Sequence, residues 1–348
     1  MKVGFLGCSA LLCAALALTG CPGDDSEDEG AAESGGESDG GEPWRVSDEP
    51  DGEVGTLLSV WGSGEDDVRA VGGQSESLGD AGVGVMLRRD GDAWVVEAIP
   101  DDTPVLNWIH GADGVVWAVG NEGAAIRLDG GSWVRDDTDA AVPLWGVFVL
   151  SADEAWAVCG DAFDLDSQGV LYHYTGGAWS QVDLPELDRD APAIFKVWAT
   201  SPSDVHAVGD NGVIMHYDGS AWTQVPSGTG ADLISLWGTG PDEILAVGGR
   251  SNGTIARYDG SGWTSTMLAM APPLNGIWMD ADGVSYLAGE RGTIMRVAAG
   301  ANEAELVDTP SRLETLHAIF GFDGGSQISV GGTLMNPPPY TGLILERP

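Results

Sequence analysis

The sequence predicts an all-β fold, a seven-bladed β-propeller made of four-stranded blades. Two observations lead to this prediction. A unit of about 43 residues recurs seven times along the chain, and every copy consists of short apolar runs separated by Gly, Asp and Asn. The copies lack the apolar spacing of three and four residues that a helix needs, and four short strands per unit is typical of a propeller blade.

The copy at 196–225 illustrates the unit. One apolar run ends at Trp198, a second occupies 205–208, a third occupies 213–217 and a fourth begins at Trp222. The Asp-Asn-Gly turn before the third run tolerates positive φ and is typical of a hairpin connection. The unit therefore predicts four consecutive antiparallel strands.

The other copies keep the same landmarks. An aromatic residue recurs in the first strand, at Trp61, Trp108, Phe148, Trp198, Trp237, Trp278 and Phe320. An Asp-Gly or Gly-Gly turn followed by Trp precedes the fourth strand in units one to five. Unit six lacks this turn, and unit seven stops after its third strand at 342–346.

The missing fourth strand of unit seven is predicted at the other end of the chain. Residues 39–46 carry the same Asp-Gly…Trp pattern around Trp44 and have no other strands of their own. A strand supplied by the N-terminus would close the ring without an open seam. The alternative is six blades followed by a loose seventh unit.

The repeat follows a pattern like VWxxxxxDVxAVGxxGxIxHYDGxxWxxV, and over 39–348 it resembles bacterial propeller repeats of the Asp-box and photosystem-assembly-factor type. Only the Asp-Gly-x-x-Trp part of the Asp-box pattern is present. The resemblance implies the propeller architecture. It implies no single activity, because such propellers include enzymes, receptors and assembly factors.

The N-terminal residues predict export and a lipid anchor. Residues 1–20 start with a positive charge at Lys2 and continue as an apolar run, as in a signal peptide. Leu18-Thr19-Gly20-Cys21 resembles the lipobox of bacterial lipoproteins, whose cysteine thiol receives diacylglycerol. The alternatives are a plain secretory signal or a short membrane span. Residues 21–38 read as an acidic disordered linker. The expected location is the cell envelope, lipid-anchored at the outer membrane, either on its periplasmic side or at the cell surface.

The charge balance limits the choice of partners. The chain has 54 acidic residues against 15 Lys and Arg, a formal net charge of −39. Such a chain repels nucleic acid and anionic lipid surfaces. The expected partners are the membrane, through the lipid anchor, and a protein or glycan ligand.

Cysteine and histidine offer little catalytic chemistry at the sequence level. Cys159 stands at a predicted strand end, which favours a buried structural thiol over a nucleophile. His173 and His216 share a third-strand position that carries Arg in most other copies, which predicts a polar position rather than a metal site. His206, like the remaining histidines, has no ligand at a metal-binding spacing.

One loop resembles half of a calcium site. Asp164, Asp166 and Gln168 follow the first part of the D-x-D-x-[DN]-G pattern, and no cofactor is expected other than this possible Ca²⁺. Gln168 departs from the pattern, and Thr175 stands where the bidentate Glu belongs. An acidic, solvated loop is the alternative interpretation.

Loop length predicts the binding surface. The loops between second and third strands vary in length, and in a propeller they share one face with the connections between blades. Aromatic and Arg side chains on that face are the best candidate anchors, namely Phe163, Arg189, Arg250 and Tyr340. The sequence favours a non-enzymatic binding or scaffold module without assigned catalytic residues. The alternatives are a hydrolase or lyase acting on polysaccharide, and an assembly factor for envelope proteins.

Overall fold

The computed structural model describes residues 42–76, 80–334 and 338–348, and within them the chain forms seven four-stranded antiparallel sheets. Each sheet is one blade, so the seven-bladed prediction is confirmed and the six-bladed alternative is wrong. The predicted signal peptide, Cys21 and the predicted linker (21–38) lie outside the described residues. In the described part, no helix is long and apolar enough to cross a bilayer.

Blades are numbered in chain order, and the first strand of the chain, β1 (Arg45–Asp48), belongs to the last blade. The strands of blades one to three are β2 (Thr56–Gly64), β3 (Asp67–Gln74), β4 (Val83–Asp90) and β5 (Ala93–Val96); β6 (Leu106–Ala112), β7 (Val115–Gly120), β8 (Ala125–Asp129) and β9 (Ser132–Asp136); and β10 (Leu144–Ser151), β11 (Glu154–Cys159), β12 (Val170–Thr175) and β13 (Ala178–Val182).

Blades four to seven continue the same meander. Their strands are β14 (Ile194–Ser201), β15 (Asp204–Gly209), β16 (Ile214–Tyr217) and β17 (Trp222–Val225); β18 (Leu233–Gly240), β19 (Glu243–Gly248), β20 (Thr254–Tyr258) and β21 (Trp263–Met267); β22 (Leu274–Met279), β23 (Ser285–Gly289), β24 (Ile294–Val297) and β25 (Glu305–Leu306); and β26 (Thr315–Gly321), β27 (Gln327–Gly332) and β28 (Gly342–Arg347), to which β1 is added. Short 3-10 turns at Asn121–Gly123 and Asp210–Gly212 follow two second strands.

The N-terminal strand closes the ring, as the sequence predicts. β1 pairs antiparallel with β28, and Val46 lies opposite Leu345. Trp44, immediately before β1, is buried, and the Arg347 guanidinium lies 5.9 Å from its ring centroid. The last blade therefore combines the two ends of the propeller domain in one sheet.

The outer edge of blade six is short. β25 has two residues, both exposed, and pairs with β24 through Met295 and Arg296. This is the unit in which Ala299-Gly300-Ala301 replaces the Asp-Gly-x-x-Trp turn. The loss of the turn motif in the sequence thus coincides with the loss of most of the fourth strand.

The Asp of the Asp-Gly-x-x-Trp turn organises the hairpin that leads into the outer strand. In blade four, the Asp218 carboxylate accepts hydrogen bonds from the Ser220 hydroxyl at 2.6 Å and from the backbone N–H groups of Ser220 and Ala221. These bonds lower the pKa of Asp218 to about 2, because they favour its charged form. Asp259 accepts the equivalent bonds in blade five.

In blades three and four, the Trp of the same motif packs on the blade before it. Trp179 packs edge-on against Trp117 of blade two, with ring centroids 5.0 Å apart. Trp222 packs in the same way on Trp156 of blade three, at 5.3 Å. Aromatic pairs in this geometry contribute beyond their buried area. The recurrence of Trp in the sequence therefore reflects contacts between blades.

The first strand of every blade is innermost, and neighbouring first strands contact each other around the whole ring, including β26 with β2. Cys159, at the end of β11, is buried, and burial raises the pKa of its thiol to about 12. The predicted burial of Cys159 is therefore confirmed, and a thiol with this raised pKa stays protonated near neutral pH.

Candidate functional site

The innermost strand of every blade contains a β-bulge at the same place. In each of these strands the pairing with the second strand skips one residue directly after a buried Leu or Ile. The seven bulged residues are Leu58, Asn107, Trp145, Phe195, Ile234, Asn275 and His317. A bulge bends the strand locally and redirects a side chain, and bulges are frequent beside functional sites.

All seven bulged residues line one cavity of about 530 Å³, the channel-mouth cavity. Its rim comes from loops between second and third strands, which contribute Phe163, Arg250, Glu290 and Tyr340. The cavity therefore opens on the face where the sequence predicts the variable loops. Its volume lies within the range of about 300–1,000 Å³ that is usual for ligand sites.

One side of the cavity is aromatic. Trp145 and Phe195 meet edge-on with ring centroids 6.0 Å apart, and Trp108 also lines the cavity. The Trp145 indole N–H donates a hydrogen bond to the Gly160 carbonyl at 2.8 Å, which fixes the ring orientation. The aromatic wall is therefore preformed, which reduces the entropy that a ligand loses on binding.

The two asparagines among the bulged residues use part of their hydrogen-bonding capacity within the fold. The Asn107 amide donates to the Asn121 side chain at 2.9 Å and to the Leu144 carbonyl at 3.0 Å. The Asn275 amide donates to the Leu316 carbonyl at 3.1 Å. Each amide is thus held against the first strand of the next blade, and its carbonyl oxygen remains an additional acceptor.

Lys196 places an amine beside the aromatic wall. Its Nζ donates to the Trp145 carbonyl at 2.8 Å and lies 4.0 Å from the centre of a Trp108 ring, a cation–π contact. Burial lowers the pKa of Lys196 to about 7, because the charged amine is poorly solvated there. Among residues 42–76, 80–334 and 338–348, no carboxylate forms an ion pair with it.

His317 is the second titratable side chain of the wall. Burial, and then the charge of nearby Lys196, lower the pKa of His317 to about 4, so the ring is neutral at neutral pH. Its Nε2 has no hydrogen-bond partner among the described residues. A buried polar atom without a partner is costly, and a ligand that supplies one relieves that cost.

Three of the four predicted anchors lie at this cavity. Phe163 is 57% exposed at the rim, whereas Tyr340 is buried and exchanges two hydrogen bonds with the Gln74 amide through its backbone. Arg250 bonds to Asp232 and, at 3.1 Å, to Asp210. The structure therefore brings Phe163, Arg250 and Tyr340 together, and their role in binding stays a prediction.

Arg189 lies apart from the channel-mouth cavity. It lines a separate depression and donates to the backbone carbonyls of Asn211 at 2.9 Å and Thr229 at 3.0 Å. These bonds connect the loop before blade four to two other loops. The geometry gives Arg189 a loop-tethering contact, and its predicted role in ligand binding remains a prediction.

The calcium prediction concerns the loop beside Phe163. The Asp164 carboxylate accepts the Asp166 backbone N–H at 3.0 Å, and Asp161 accepts the Phe163 backbone N–H at 2.9 Å. Such turns use carboxylate oxygens for local backbone bonds. Binding of Ca²⁺ by Asp164, Asp166 and Gln168 stays a prediction.

No family model and no curated protein matches this chain. Similar solved structures include YCF48 bound to D1 peptide, with 16% identity, a TM-score of 0.62, and coverage of 89% of this chain and 98% of that chain. YCF48 from Cyanidioschyzon merolae has 16% identity and a TM-score of 0.63, covering 88% and 98%. Virginiamycin B lyase from Staphylococcus aureus has 14% identity and a TM-score of 0.65, covering 86% and 99%. Likeness at this identity shows the fold alone.

The buried amine of Lys196 predicts a measurable pH dependence of stability. Between pH 7 and about 10.5, the unfolded chain holds a proton on this lysine that the folded chain has lost. The free energy of unfolding therefore rises with pH in that window, by at most about 1.4 kcal/mol per pH unit. Lys196→Met removes this pH-dependent contribution to the free energy of unfolding. We expect the melting-temperature advantage of Lys196→Met over the parent to shrink by several degrees between pH 7 and pH 9. A constant difference between the two proteins would show that the amine is not strongly desolvated.

Proposed function

We propose that this protein is a non-catalytic binding module of the cell envelope that holds an extended protein segment in the channel-mouth cavity. The observation that carries this proposal is the set of seven bulged residues, one from each blade, that line a single cavity. Identical backbone irregularities in seven blades build one surface, while their side chains differ from blade to blade. A shared scaffold with variable side chains is what a binding site requires.

The chemistry of the cavity favours an apolar or aromatic ligand side chain. Trp145, Phe195 and Trp108 offer rigid rings, and aromatic residues dominate the energetics of protein interfaces. Phe163 is exposed at the rim, and Leu165, two positions along the same loop, is 82% exposed. A bound segment that covers these side chains would remove their apolar surface from water, which favours binding through the hydrophobic effect.

Lys196 and His317 provide the polar contacts. The Lys196 ammonium has donor capacity beyond its bond to Trp145, and the His317 Nε2 is without a partner. A peptide offers backbone carbonyl and N–H groups that match both. The net charge of −39 favours a segment with basic flanking residues, because opposite charges speed association.

Comparison with other propellers supports a protein ligand without identifying it. The solved structure of YCF48 contains a bound D1 peptide, so a propeller of this architecture can hold a peptide. At 16% identity, the comparison supports a shared fold and does not assign roles to individual residues of this chain. The proposal for this chain therefore rests on its own cavity.

The envelope location is the second part of the proposal. Leu18-Thr19-Gly20-Cys21 supports lipidation at Cys21, and the acidic segment that follows joins the lipid to the ring. A diacylated cysteine would hold the propeller at a membrane, at the outer membrane in the arrangement we favour. The channel-mouth cavity would then meet envelope proteins rather than cytoplasmic ones.

Binding at the cavity is tested by selecting peptides from a displayed random library on the immobilised protein and measuring affinity by fluorescence anisotropy. We expect Phe163→Ala and Leu58→Ala each to weaken binding about tenfold, because each removes apolar contact area at the cavity. Leu313→Ala removes an 87% exposed leucine that does not line the cavity, so it is the matched control and should bind as the parent does. All variants are first compared for equal melting temperature.

Two outcomes contradict this assignment. One is a peptide that binds Phe163→Ala and Leu58→Ala like the parent but is lost with Arg189→Ala. The other is turnover of any substrate in a fluorogenic glycosidase panel, which would favour the polysaccharide-acting alternative.

The anchor is tested separately with Cys21→Ala. Without the thiol the chain cannot be acylated, so we expect the variant to move from the detergent phase to the aqueous phase in a phase-partitioning assay of cell extracts. Cys159→Ala is the control and should remain in the detergent phase with the parent. Equal partitioning of Cys21→Ala and the parent would refute the lipid anchor and leave the cavity proposal untouched.

A further inference from the structure

Blade four carries three metal-ligand side chains at one place. Asp204 and His206 lie two residues apart on β15 and therefore point to the same face of the strand. His216 on β16 is the direct cross-strand partner of His206. Strand alternation and hairpin register together bring the three side chains, here named the blade-four cluster, to one position.

The distances within the blade-four cluster are those of neighbouring ligands. Asp204 Oδ1 lies 2.8 Å from His216 Nε2 and 3.3 Å from His206 Nε2. One ligand atom from each residue lies within 4.8 Å of the others, and in the described part of the chain this is the one group of three His, Cys, Asp or Glu residues that does so. Ligands at about 2.0–2.1 Å from a tetrahedral ion are themselves roughly 3.3 Å apart.

His206 is the unusual member. It is 2% exposed, and its ring lies between His216 at 4.5 Å and the rings of Tyr258 and Trp263 in blade five, at 5.4 and 5.9 Å. The structurally equivalent position in blade three is Trp156, which makes the same contacts to its neighbours. An apolar ring fills this place adequately, so packing alone does not explain an imidazole there.

Both ring nitrogens of His206 lack a hydrogen-bond partner among the described residues. The approach of Nε2 to Asp204 is close but not aligned for a hydrogen bond. Two unpartnered buried nitrogens are expensive in a protein interior, and a bound ion on Nε2 would relieve part of that cost. His206 Nε2 nevertheless lies 3.3 Å from Asp204 Oδ1, close enough for both atoms to bind one cation.

Other blades show what this place contains when no second imidazole is present. Glu154 pairs with His173 at 3.2 Å in blade three, and Glu243 pairs with Arg257 in blade five. One acid and one base neutralise each other in those blades. In blade four, His216 already pairs with Asp204. His206 is therefore an additional nitrogen ligand that the acid–base pair does not require.

We propose that Asp204, His206 and His216 bind one divalent transition-metal ion of the Zn²⁺ class. Two imidazoles and one carboxylate are nitrogen and oxygen ligands that suit Zn²⁺, Co²⁺, Ni²⁺ and Cu²⁺ better than Ca²⁺ or Mg²⁺. The Asp204 and His216 side chains are 24% and 29% exposed, so solvent reaches the site and supplies a water as fourth ligand.

The surroundings of the blade-four cluster orient two of the ligands. The Thr200 hydroxyl donates to Asp204 Oδ2, which leaves Oδ1 directed at the histidines. Hydrogen bonds of this kind orient metal ligands in most metal sites. His206 Nδ1 has no such partner, so binding is weaker than at a closed structural zinc site.

This site is separate from the channel-mouth cavity. Asp204 opens β15 opposite Ser201, whereas Phe195 lies at the other end of β14, near the pair Ile194 and Gly209. The metal proposal therefore does not depend on the proposed function. The ion would lie beside the contact between blades four and five, where His206 meets Tyr258 and Trp263.

The test is metal titration of the full-length protein, purified without a polyhistidine tag, treated with chelator and dialysed. Co²⁺ is added in excess Mg²⁺ and Ca²⁺, which occupy carboxylate-only sites on the acidic surface. We expect one equivalent of Co²⁺ per chain to produce the visible absorption of a tetrahedral ion, and Zn²⁺ to displace it. Zn²⁺ should also raise the melting temperature, since it binds the folded state.

Asp204→Asn and His216→Asn should each weaken Co²⁺ binding at least tenfold, because each removes one ligand from the blade-four cluster. His173→Asn, the corresponding change in blade three, is the matched control and should leave binding unchanged. In the parent, the ring C–H signals of His206 and His216 should shift on stoichiometric Zn²⁺ while that of His173 does not. Absence of saturable binding in the parent, or unshifted His206 and His216 signals, overturns the proposal even if a variant fails to fold.

Discussion

The closing contact of the ring, β1 on β28, is the constraint on which the rest of the structure depends. In a propeller each blade is stabilised mainly by its two neighbours, so one unsatisfied blade edge exposes both a strand and an interface. Here the last blade lacks an outer strand of its own, and β1 supplies it through the pairs Arg45 with Glu346 and Val46 with Leu345. Trp44 and Arg347 then fill the contact with blade six, where Arg347 also lies over the Tyr286 ring at 5.0 Å.

Closure matters for the proposed function because all seven inner strands line the channel-mouth cavity. Each strand contributes one bulged residue, and the bulge occurs at the same step of the pairing in every blade. The backbone therefore repeats, while side chains as different as Trp145, Asn275 and His317 occupy equivalent positions. Under the proposed function, stability and recognition are carried by different residues of the same strands, which would allow the ligand site to vary without loss of the fold.

Much of the fold could be predicted from the sequence because its signals are local and repeated. The Asp-Gly-x-x-Trp turn that ends in Trp222 recurs in several units. The same motif around Trp44 has no other strands beside it, so it predicts the outer strand that unit seven lacks. The bulged residues could not be found in this way, because a bulge is a property of strand pairing and the seven residues have no single residue type in common. A signal exists in hindsight: each follows a buried Leu or Ile at the start of an inner strand.

The blade-four cluster could not be predicted from the sequence for a related reason. His206 and His216 lie ten positions apart, which matches no short metal motif, and they become neighbours only through hairpin register. In the sequence, His216 occupies a third-strand position that recurs around the ring with Arg in most other blades, and only the hairpin register reveals its pairing with His206. Lys196 likewise gave no sign in the sequence of its lowered pKa, which arises from burial beside Trp108 and Trp145.

Completion of the ring by the N-terminal strand is tested most directly by comparing the melting temperatures of chains that begin at Gly35 and at Pro50. The shorter chain loses β1 and the buried Trp44, and loss of a buried Trp alone costs about 3–5 kcal/mol. We expect the shorter chain to have a melting temperature lower by roughly 10 °C or more. Equal melting temperatures would contradict closure by β1, and with it the explanation given for the cavity.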